Sequence, residues 1–310
     1  MPFARYTFTY RCTGRGHLPP YKGSTLRGVL GRNLRYVVCG LARQSCSQCH
    51  RAPRCLYALM FEHPAAVPRP ARLAAPPRPY VLEPPAEDHT DFAPGDRFSF
   101  RLLLFGEVNR QLPYLVFALI LAGERGMGSF RPERAVRFRL EGVSVEGHDI
   151  YDPHAERLIP GDWSRPLRLP PSPPARGELT LQMLTPLRLK WDGRLLQTAL
   201  PFPLLVRGLL RRVSGLWTAY AGGEPELDYR GLVARAQAVE VTHSRLRWHD
   251  LQRYSRRQGT RMALGGLVGS VTYRGPIGEY LGLLELARQV HLGKQTTFGL
   301  GQIDFQWQEE

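Results

Sequence analysis

Two short motifs recur at matching positions in the two halves of the chain. Leu26–Leu30 (LRGVL) resembles Val206–Leu210 (VRGLL), and Gly126–Gly128 (GMG) resembles Gly299–Gly301 (GLG). The first pair falls in the first predicted helix of each half, and the second pair follows the second predicted helix. Self-similarity at equivalent places indicates a duplicated structural unit. Chance similarity among short strings of Leu, Arg and Gly is the alternative.

The spacing of apolar residues predicts similar element orders in the two halves. In the first half, alternation predicts strands at 3–11, 97–105 and 135–145, and helical spacing predicts helices at 24–38 and 111–121. In the second half, strands are predicted at 178–189, 239–254, 262–273 and 302–307, and helices at 203–220 and 277–289. The second half therefore has the order βαββαβ, and the first half has the same order with room for one further strand. These patterns predict the α+β class.

Two proline-rich stretches divide the sequence. Residues 64–85 are predicted to form an extended loop, and the denser stretch at 166–174 is predicted to link two domains. The N-terminal domain is then expected at 1–165, with a cysteine-rich insertion at about 39–62. The C-terminal domain is expected at 176–310, with a glycine-rich loop at 291–301.

The charge balance points to a polyanionic partner. The formal net charge is +15, which favours binding to nucleic acid or to an acidic surface. Only three of the 42 basic residues are lysine (Lys22, Lys190 and Lys294), and arginine suits bidentate phosphate contacts and base stacking. A GC-rich genome is an alternative explanation for the arginine bias, but it does not explain the net charge. No apolar run approaches the length of a membrane-spanning helix, so no membrane association is expected.

Four of the five cysteines fall within seventeen residues. The spacing Cys39-x6-Cys46-x2-Cys49-x5-Cys55 predicts a tetrahedral structural zinc site made of four thiolates. An iron–sulfur cluster is the alternative metal centre, and His50 could replace one thiol. Free or buried cysteines without a metal are the remaining possibility. With no secretory signal recognised, a reducing cytoplasmic location is expected.

The segment from His291 to Gly301 is predicted to be a ligand-binding loop between a helix and a strand. Its glycines allow positive φ and a close approach of the backbone to a ligand, and exposed N–H groups in such loops bind anions. The residues predicted to contact RNA here are Gly293, Lys294, Thr296, Thr297, Phe298, Gly299 and Gly301, with Phe298 offering a stacking face. A simple turn is the alternative.

Three consecutive segments carry a resemblance to a known family. Trp248–Gln258, Met262–Gly269 and the glycine-rich loop resemble the C-terminal domain of the CRISPR-associated repeat-RNA-processing endoribonucleases of the RAMP superfamily. The resemblance is strong over roughly 180–310 and moderate over 18–62. It implies tandem ferredoxin-like, RRM-like domains that bind a repeat stem-loop in precursor CRISPR RNA. It also implies cleavage at the base of the stem by attack of the RNA 2′-hydroxyl, which leaves a 2′,3′-cyclic phosphate and needs no catalytic cofactor.

The resemblance implies a catalytic histidine near the first helix, without fixing which one. His17, Tyr21 and Lys22 immediately precede that helix, and His50 and His63 follow it. We take His17, Tyr21 and His291 as candidate catalytic residues, since histidine and tyrosine can exchange the protons that this chemistry requires.

Further RNA contacts are predicted at Lys22 and in a basic and aromatic cluster. The cluster contains Arg253, Tyr254 and Arg257, which could follow a phosphate backbone while the tyrosine stacks. A solvated strand face is the alternative. Two other functions stay open: a non-catalytic RAMP subunit that holds guide RNA among the subunits of a CRISPR effector complex, and a general RNA-binding module.

Overall fold

The structure is a computed structural model that describes residues 1–41, 44–62, 67–128, 135–255 and 260–310, with only the backbone at 253–255 and 261. The chain divides into two compact units. Unit 1 comprises Met1–Leu167 and Ala219–Ala221, and unit 2 comprises Arg168–Thr218 and Gly222–Glu310. The division after Leu167 lies two residues beyond the predicted end of the first domain.

Unit 1 contains one main antiparallel sheet covered by helices. Its strands are β1 (Pro2–Cys12), β2 (Gly16–His17), β3 (Tyr80–Glu83), β4 (Asp91–Phe92), β5 (Arg97–Phe105), β6 (Phe138–Val145), β7 (His148–Asp149), β8 (Tyr151–Asp152), β9 (Arg157–Leu158) and β10 (Arg165–Pro166). Its helices are α1 (Gly23–Val38), α2 (Leu56–Phe61) and α3 (Leu112–Arg125), with short 3-10 turns at Ala52–Arg54 and Gly106–Gln111. The main sheet has the order β3-β5-β1-β6-β7, and its pairs are antiparallel.

Alternation along β1 creates the core of unit 1. Tyr6, Phe8 and Tyr10 are all buried and point to one face of the sheet, because successive side chains of a strand point to opposite faces. The buried stripes of α1 and α3, represented by Leu30 and Leu115, belong to the same apolar cluster. Burial of such side chains is the main stabilising contribution to a unit of this size.

Unit 2 repeats this arrangement. Its strands are β11 (Gly177–Leu187), β12 (Lys190–Trp191), β13 (Arg194–Leu195), β14 (Glu240–Ser244), β15 (Arg247–His249), β16 (Gln252–Ser255), β17 (Thr260–Ala263), β18 (Gly266–Gly275) and β19 (Ile303–Glu309). Its helices are α4 (Phe202–Tyr220), α5 (Tyr229–Arg235) and α6 (Leu281–Val290), with 3-10 turns at Ala236–Ala238, Gly278–Tyr280 and Thr296–Phe298. The main sheet has the order β14-β18-β11-β19, and β15 also pairs with β18.

The two sheets have the same topology. In each, the first strand of the βαββαβ unit lies between the third and the fourth, and the second strand lies outside the third. This is the ferredoxin-like arrangement, so the predicted α+β fold with tandem ferredoxin-like units is confirmed.

Four details differ from the predicted elements. The predicted strand at 262–273 divides into β17 and β18, and the predicted extended loop at 64–85 contains β3. The predicted strand at 239–254 divides into β14, β15 and β16. Both β14 and β15 pair with β18, whereas β16 pairs with β17 instead of the main sheet. The proline-rich stretch expected to link the domains packs on unit 2 from Arg168 onwards. There, the Ser172 hydroxyl oxygen accepts a hydrogen bond from Gly282 N at 2.6 Å. Among the described helices, none combines the length and apolar character needed to cross a bilayer.

Candidate nucleic-acid interface

The glycine-rich loop of unit 2 requires glycine at defined positions. Gly293, Gly299 and Gly301 all have positive φ, at +84°, +89° and +74°. A Cβ atom on Gly301 would lie 1.8 Å from the carbonyl oxygen of Leu292, and one on Gly293 would lie 2.6 Å from that of Arg188. The sequence therefore brings two backbone segments into direct contact, which a side chain would prevent.

Hydrogen bonds fix this loop to the end of β11. Lys294 N donates to Arg188 O at 2.9 Å, and Gly301 N donates to Pro186 O at 3.1 Å. The hydroxyl of Thr185 donates to Gly299 O at 2.8 Å. These bonds hold the loop in one conformation, as a preformed binding element requires.

Arg212 of α4 secures the start of the loop. Its Nε donates to His291 O at 3.1 Å and its Nη2 to Val290 O at 2.6 Å, so the guanidinium satisfies carbonyls at the C-terminus of α6. The imidazole of His291 is fully buried, and its Nδ1 donates to Leu300 O at 3.1 Å. This position favours a structural role for His291 over the catalytic role predicted from sequence.

The predicted RNA contacts of the loop separate into accessible and buried groups. Lys294 is exposed and Thr297 is half-buried. Thr296 and Phe298 are both 7% exposed, which removes Phe298 as a stacking face in this conformation. The loop therefore presents a lysine, a threonine and backbone, while its aromatic side chain belongs to the core.

Lys294 lies within electrostatic range of three other cations, and we call Arg188, Lys190, Arg211 and Lys294 the cationic cluster. Partial burial lowers the pKa of Lys294, and the positive charges of Lys190, Arg211 and Arg188 lower it further. Like charges that destabilise one another in the free protein are stabilised by a bound anion. The cluster therefore has the electrostatics of a phosphate-binding site.

Arg188 is the most deeply placed member of the cationic cluster. It is 9% exposed, and burial lowers the pKa of its guanidinium. Its Nη1 donates to Gly265 O, while its Nε is buried with no hydrogen-bond partner among the described residues. An unpaired buried N–H is costly, so this guanidinium lowers the stability of the free protein.

The predicted basic and aromatic cluster lies on a separate hairpin. Arg253 and Tyr254 belong to β16, which pairs with β17 in the register Arg253 to Met262 and Tyr254 to Arg261. Arg257 lies outside the described residues, at the connection between these strands. A two-stranded hairpin beyond the main sheet is a suitable location for the predicted backbone contacts, which remain a prediction.

In unit 1, His17 lies on a small exposed ladder. β2 pairs with β4 in the register His17 to Asp91, and His17 Nδ1 donates to Asp91 Oδ1 at 3.2 Å. The imidazole is 62% exposed. Hydrogen bonds from the Thr90 hydroxyl and then from His17 lower the pKa of the Asp91 carboxyl. An ionised carboxylate at Nδ1 orients the ring and leaves Nε2 as the nitrogen for proton transfer.

The other two residues before α1 are less accessible. Lys22 is 2% exposed, and its ammonium donates to Pro20 O at 3.1 Å and to Glu87 O at 3.2 Å. Burial lowers the pKa of this lysine, and burial also raises the pKa of Tyr21 well above its usual range. The geometry assigns Lys22 to joining two loops rather than to the predicted contact with RNA.

The cysteine-rich segment shows no metal-binding arrangement. Cys39, Cys46, Cys49 and Cys55 are free thiols, and among the described residues no group of three or more His, Cys, Asp or Glu side chains could hold a metal ion. Cys39 is hydrogen-bonded to the side chain of Arg35, and burial raises the pKa of Cys46, which disfavours the thiolate form. The predicted zinc or iron–sulfur site is therefore not supported.

Apolar packing holds this segment in place of a metal. Met60 and Phe61 of α2 are buried. The ring of Phe61 packs directly against Gly31 of α1, since a Cβ atom on Gly31 would lie only 2.8 Å from that ring. His50 is exposed in the same segment, and His63 lies outside the described residues.

Sequence reasoning missed several residues of both sites. Asp91 lies 74 positions from His17, and Arg188 and Lys190 lie about a hundred positions from Lys294, so no local motif joins them. The sequence offered one indication of the cationic cluster: Lys190 and Lys294 are two of the only three lysines in the chain. Arg211 could be recognised only as a basic residue on the predicted helix of the second half.

Comparison with known families covers most of the chain. Residues 1–162 match a family model described as the AF_1859_N N-terminal domain, and residues 181–303 match the family model of the CRISPR-associated endoribonuclease Cas6. No protein with a curated description matches the chain.

Solved structures share the fold at low sequence identity. A partial Cas6-RT-Cas1–Cas2 complex aligns with a TM-score of 0.54 at 14% identity, covering 100% of this chain and 46% of that one. A Cas6 product complex aligns with a TM-score of 0.53 at 20% identity, covering 99% of this chain and 100% of that one. Thermus thermophilus Cas6 aligns with a TM-score of 0.53 at 18% identity, covering 98% of each chain. The present chain thus spans less than half the length of the first of these relatives.

The solved Cas6 structures share the tandem ferredoxin-like fold of this chain. The chain belongs to the family of the AF_1859_N N-terminal domain over residues 1–162, and residues 181–303 match the model of the CRISPR-associated endoribonuclease Cas6. The resemblance inferred from sequence is confirmed.

Proposed function

We propose that this protein is an endoribonuclease that binds the stem-loop of a CRISPR repeat and cuts precursor CRISPR RNA into guide RNA. The observation that carries the proposal is the cationic cluster beside the glycine-rich loop, because neighbouring cations favour a bound phosphate. The Cas6 family match over the same unit supports repeat RNA as the polyanion. Since such RNA is made inside the cell, the proposed site of action is the cytoplasm.

In the proposed reaction, the ribose 2′-oxygen attacks the adjacent phosphorus while a base removes its proton. The bond to the 5′-oxygen of the next nucleotide breaks, and that oxygen takes up a proton. The products are a 2′,3′-cyclic phosphate and a 5′-hydroxyl, and the chemistry is complete without a metal ion or cofactor. His17 is the proposed acid or base, because its ring is exposed and oriented by Asp91.

A non-catalytic RNA-holding subunit is the second candidate function. One observation favours it: His291 is fully buried, and burial strongly raises the pKa of Tyr21. Of the three predicted catalytic side chains, His17 alone is exposed. The proposed partners are the same in either case, namely repeat RNA and subunits of a CRISPR complex. The structural match to a partial Cas6-RT-Cas1–Cas2 complex supports the second class of partner.

Cleavage of repeat RNA should persist in excess EDTA and leave a cyclic phosphate end, because the proposed acid–base chemistry uses protein side chains. The measurement is incubation of the purified protein with labelled repeat RNA, followed by analysis of the new 3′ end before and after acid opening of the cyclic phosphate. A requirement for magnesium, or 3′-hydroxyl products, would contradict the mechanism. Tight binding with no cleavage would favour the non-catalytic subunit.

RNA affinity should fall in the alkaline range where Lys294 loses its charge. The pKa of Lys294 is lowered in the free protein, so its ammonium deprotonates below the usual pH for lysine, and the phosphate loses a cationic partner. We expect a loss of about tenfold, the usual scale for one charge-assisted hydrogen bond. The measurement is binding of a repeat RNA with a 2′-deoxy substitution at the cleavage site, between neutral pH and pH 10.

The matched control is Lys294→Arg, because arginine keeps its charge throughout this range. The variant should bind like the native protein at neutral pH and show a smaller alkaline loss. All other side chains are the same in the two proteins, so their contributions cancel in the comparison. Equal alkaline losses in the two proteins would exclude Lys294 from the phosphate site.

A further inference from the structure

A short hairpin in unit 2 presents an exposed tryptophan. β12 and β13 pair in the register Lys190 to Leu195 and Trp191 to Arg194. The two residues between them, Asp192 and Gly193, have φ of +47° and +76°. Positive φ at both central residues is the signature of a tight type I′ turn, which matches the twist of the strands and makes the hairpin rigid.

Trp191 is exposed, and its ring is also held by a contact with a neighbouring side chain. Its side chain is 47% exposed, and the guanidinium carbon of Arg207 lies 4.9 Å from the centroid of its ring. This cation–π contact joins the hairpin to α4. It holds the indole in a fixed place with a large part of its surface open to solvent.

The tryptophan is connected to the cationic cluster through the hairpin and through α4. Lys190, which contributes to the cluster, is its chain neighbour, and Arg211 follows Arg207 by one turn of α4, about 5.4 Å along the helix. Helix α4 itself packs closely on this region, since a Cβ atom on Gly208 would lie 3.0 Å from Leu189 and 3.6 Å from Leu292 of the glycine-rich loop. Stacking surface and phosphate site therefore share one rigid framework.

We propose that Trp191, backed by Arg207, is a stacking platform for an unpaired nucleobase of the RNA whose phosphate lies on the cationic cluster. The inference rests on the proposed function and adds a recognition site to it. An unpaired base is the ligand class because paired bases are already covered by their neighbours, whereas a splayed base gains from an aromatic face. Stacking accepts any base, so the platform selects single-stranded geometry rather than sequence.

The first experiment compares RNA affinities of single variants. Trp191→Ala should weaken binding of repeat RNA by about 5- to 150-fold, the effect of losing one stacked base. Trp191→Phe should retain most of the affinity, because phenylalanine also offers a π-face. The salt dependence should stay unchanged in Trp191→Ala, whereas Lys190→Ala should lower the slope of log affinity against log salt by about 0.7. Phe117→Ala, at a 51% exposed aromatic residue of unit 1, is the matched control and should bind normally.

The second experiment tests stacking directly with a double-mutant cycle between protein and RNA. Unpaired nucleotides of the repeat are replaced one at a time by abasic nucleotides. At one position, the abasic RNA should lose affinity for the native protein but lose little further affinity for Trp191→Ala. Unchanged affinity of Trp191→Ala, or equal loss in both proteins at every position, would overturn the platform. A lowered unfolding midpoint with equal loss in Trp191→Phe would show a structural role instead. If the native protein fails to bind repeat RNA, the proposed function itself fails.

Discussion

Replacing His17 with alanine should slow cleavage of repeat RNA by about 10²- to 10⁴-fold, the usual effect of removing a general acid or base. RNA affinity should stay nearly unchanged, because His17 is not part of the cationic cluster that is proposed to hold the RNA phosphate. The physical reason for the choice is the hydrogen bond from Nδ1 to Asp91, which fixes the tautomer and leaves Nε2 for the substrate. The measurement is a single-turnover rate with enzyme in excess, where binding does not limit the rate.

His89 provides the matched control for this experiment. It is also exposed, at 56%, and its ring packs on Phe92 of the same ladder with a centroid distance of 4.8 Å. His89→Ala should cut at the native rate, because the nearest carboxylate, Asp96, lies 4.0 Å away at the edge of ion-pair range. Asp91→Asn should slow cleavage less than His17→Ala, since an amide can still contact Nδ1 but no longer stabilises an imidazolium.

Normal cleavage by His17→Ala would move the catalytic role to other histidines. His50 and His63 follow α1 in the sequence and are then the residues to replace singly, together with buried His291. Slow cleavage in none of these four variants would give most support to the non-catalytic subunit.

The element order was predictable because each half alternates or repeats with a clear period. β1 alternates along most of its length and β5 alternates as far as Arg101, so the buried faces of these segments follow from the sequence alone. The division of 239–254 into three strands was not predictable. It depends on the register with β18, and a register is set by partners distant in sequence.

The candidate RNA site was predictable in its backbone and less so in its side chains. The glycines at 293, 299 and 301 predicted a loop with positive φ angles, and all three residues have positive φ. Which side chains would be exposed was not apparent, because Phe298 and Thr296 are buried by tertiary packing. The cationic cluster joins the end of β11, the hairpin, α4 and the loop, which only the folded chain brings together.

The cysteine spacing shows the limit of motif reasoning. Four cysteines at short intervals satisfy the sequence rule for zinc, but coordination also requires deprotonated sulfurs directed at one point. Here the Cys39 side chain is hydrogen-bonded to Arg35, and burial raises the pKa of Cys46, which disfavours its thiolate form. The buried face of α2 attaches the cysteine-rich segment to the core, which is the role that we had predicted for a metal ion.

Gly301→Ala should destabilise unit 2 by more than about 4 kcal/mol, a loss large enough to unfold a unit of ordinary stability. Two effects add at this position. The φ of +74° is unfavourable for any residue with a Cβ atom, and that atom would lie 1.8 Å from the carbonyl oxygen of Leu292. Backbone cannot yield there, since Leu292 N donates to Gly301 O at 2.8 Å and Gly301 N donates to Pro186 O.

Gly193→Ala separates the two effects. Gly193 has nearly the same φ, +76°, but no described atom lies within 4 Å of the position that a Cβ would occupy. This variant should lose only the left-handed conformational term, about 1–2 kcal/mol. Urea unfolding followed by tryptophan fluorescence reports mainly on unit 2, because Trp191, Trp217, Trp248 and Trp307 lie there and only Trp163 lies in unit 1. Equal losses in the two variants would mean that the loop can move away from Leu292, and the loop could then not be the preformed element on which the RNA site depends.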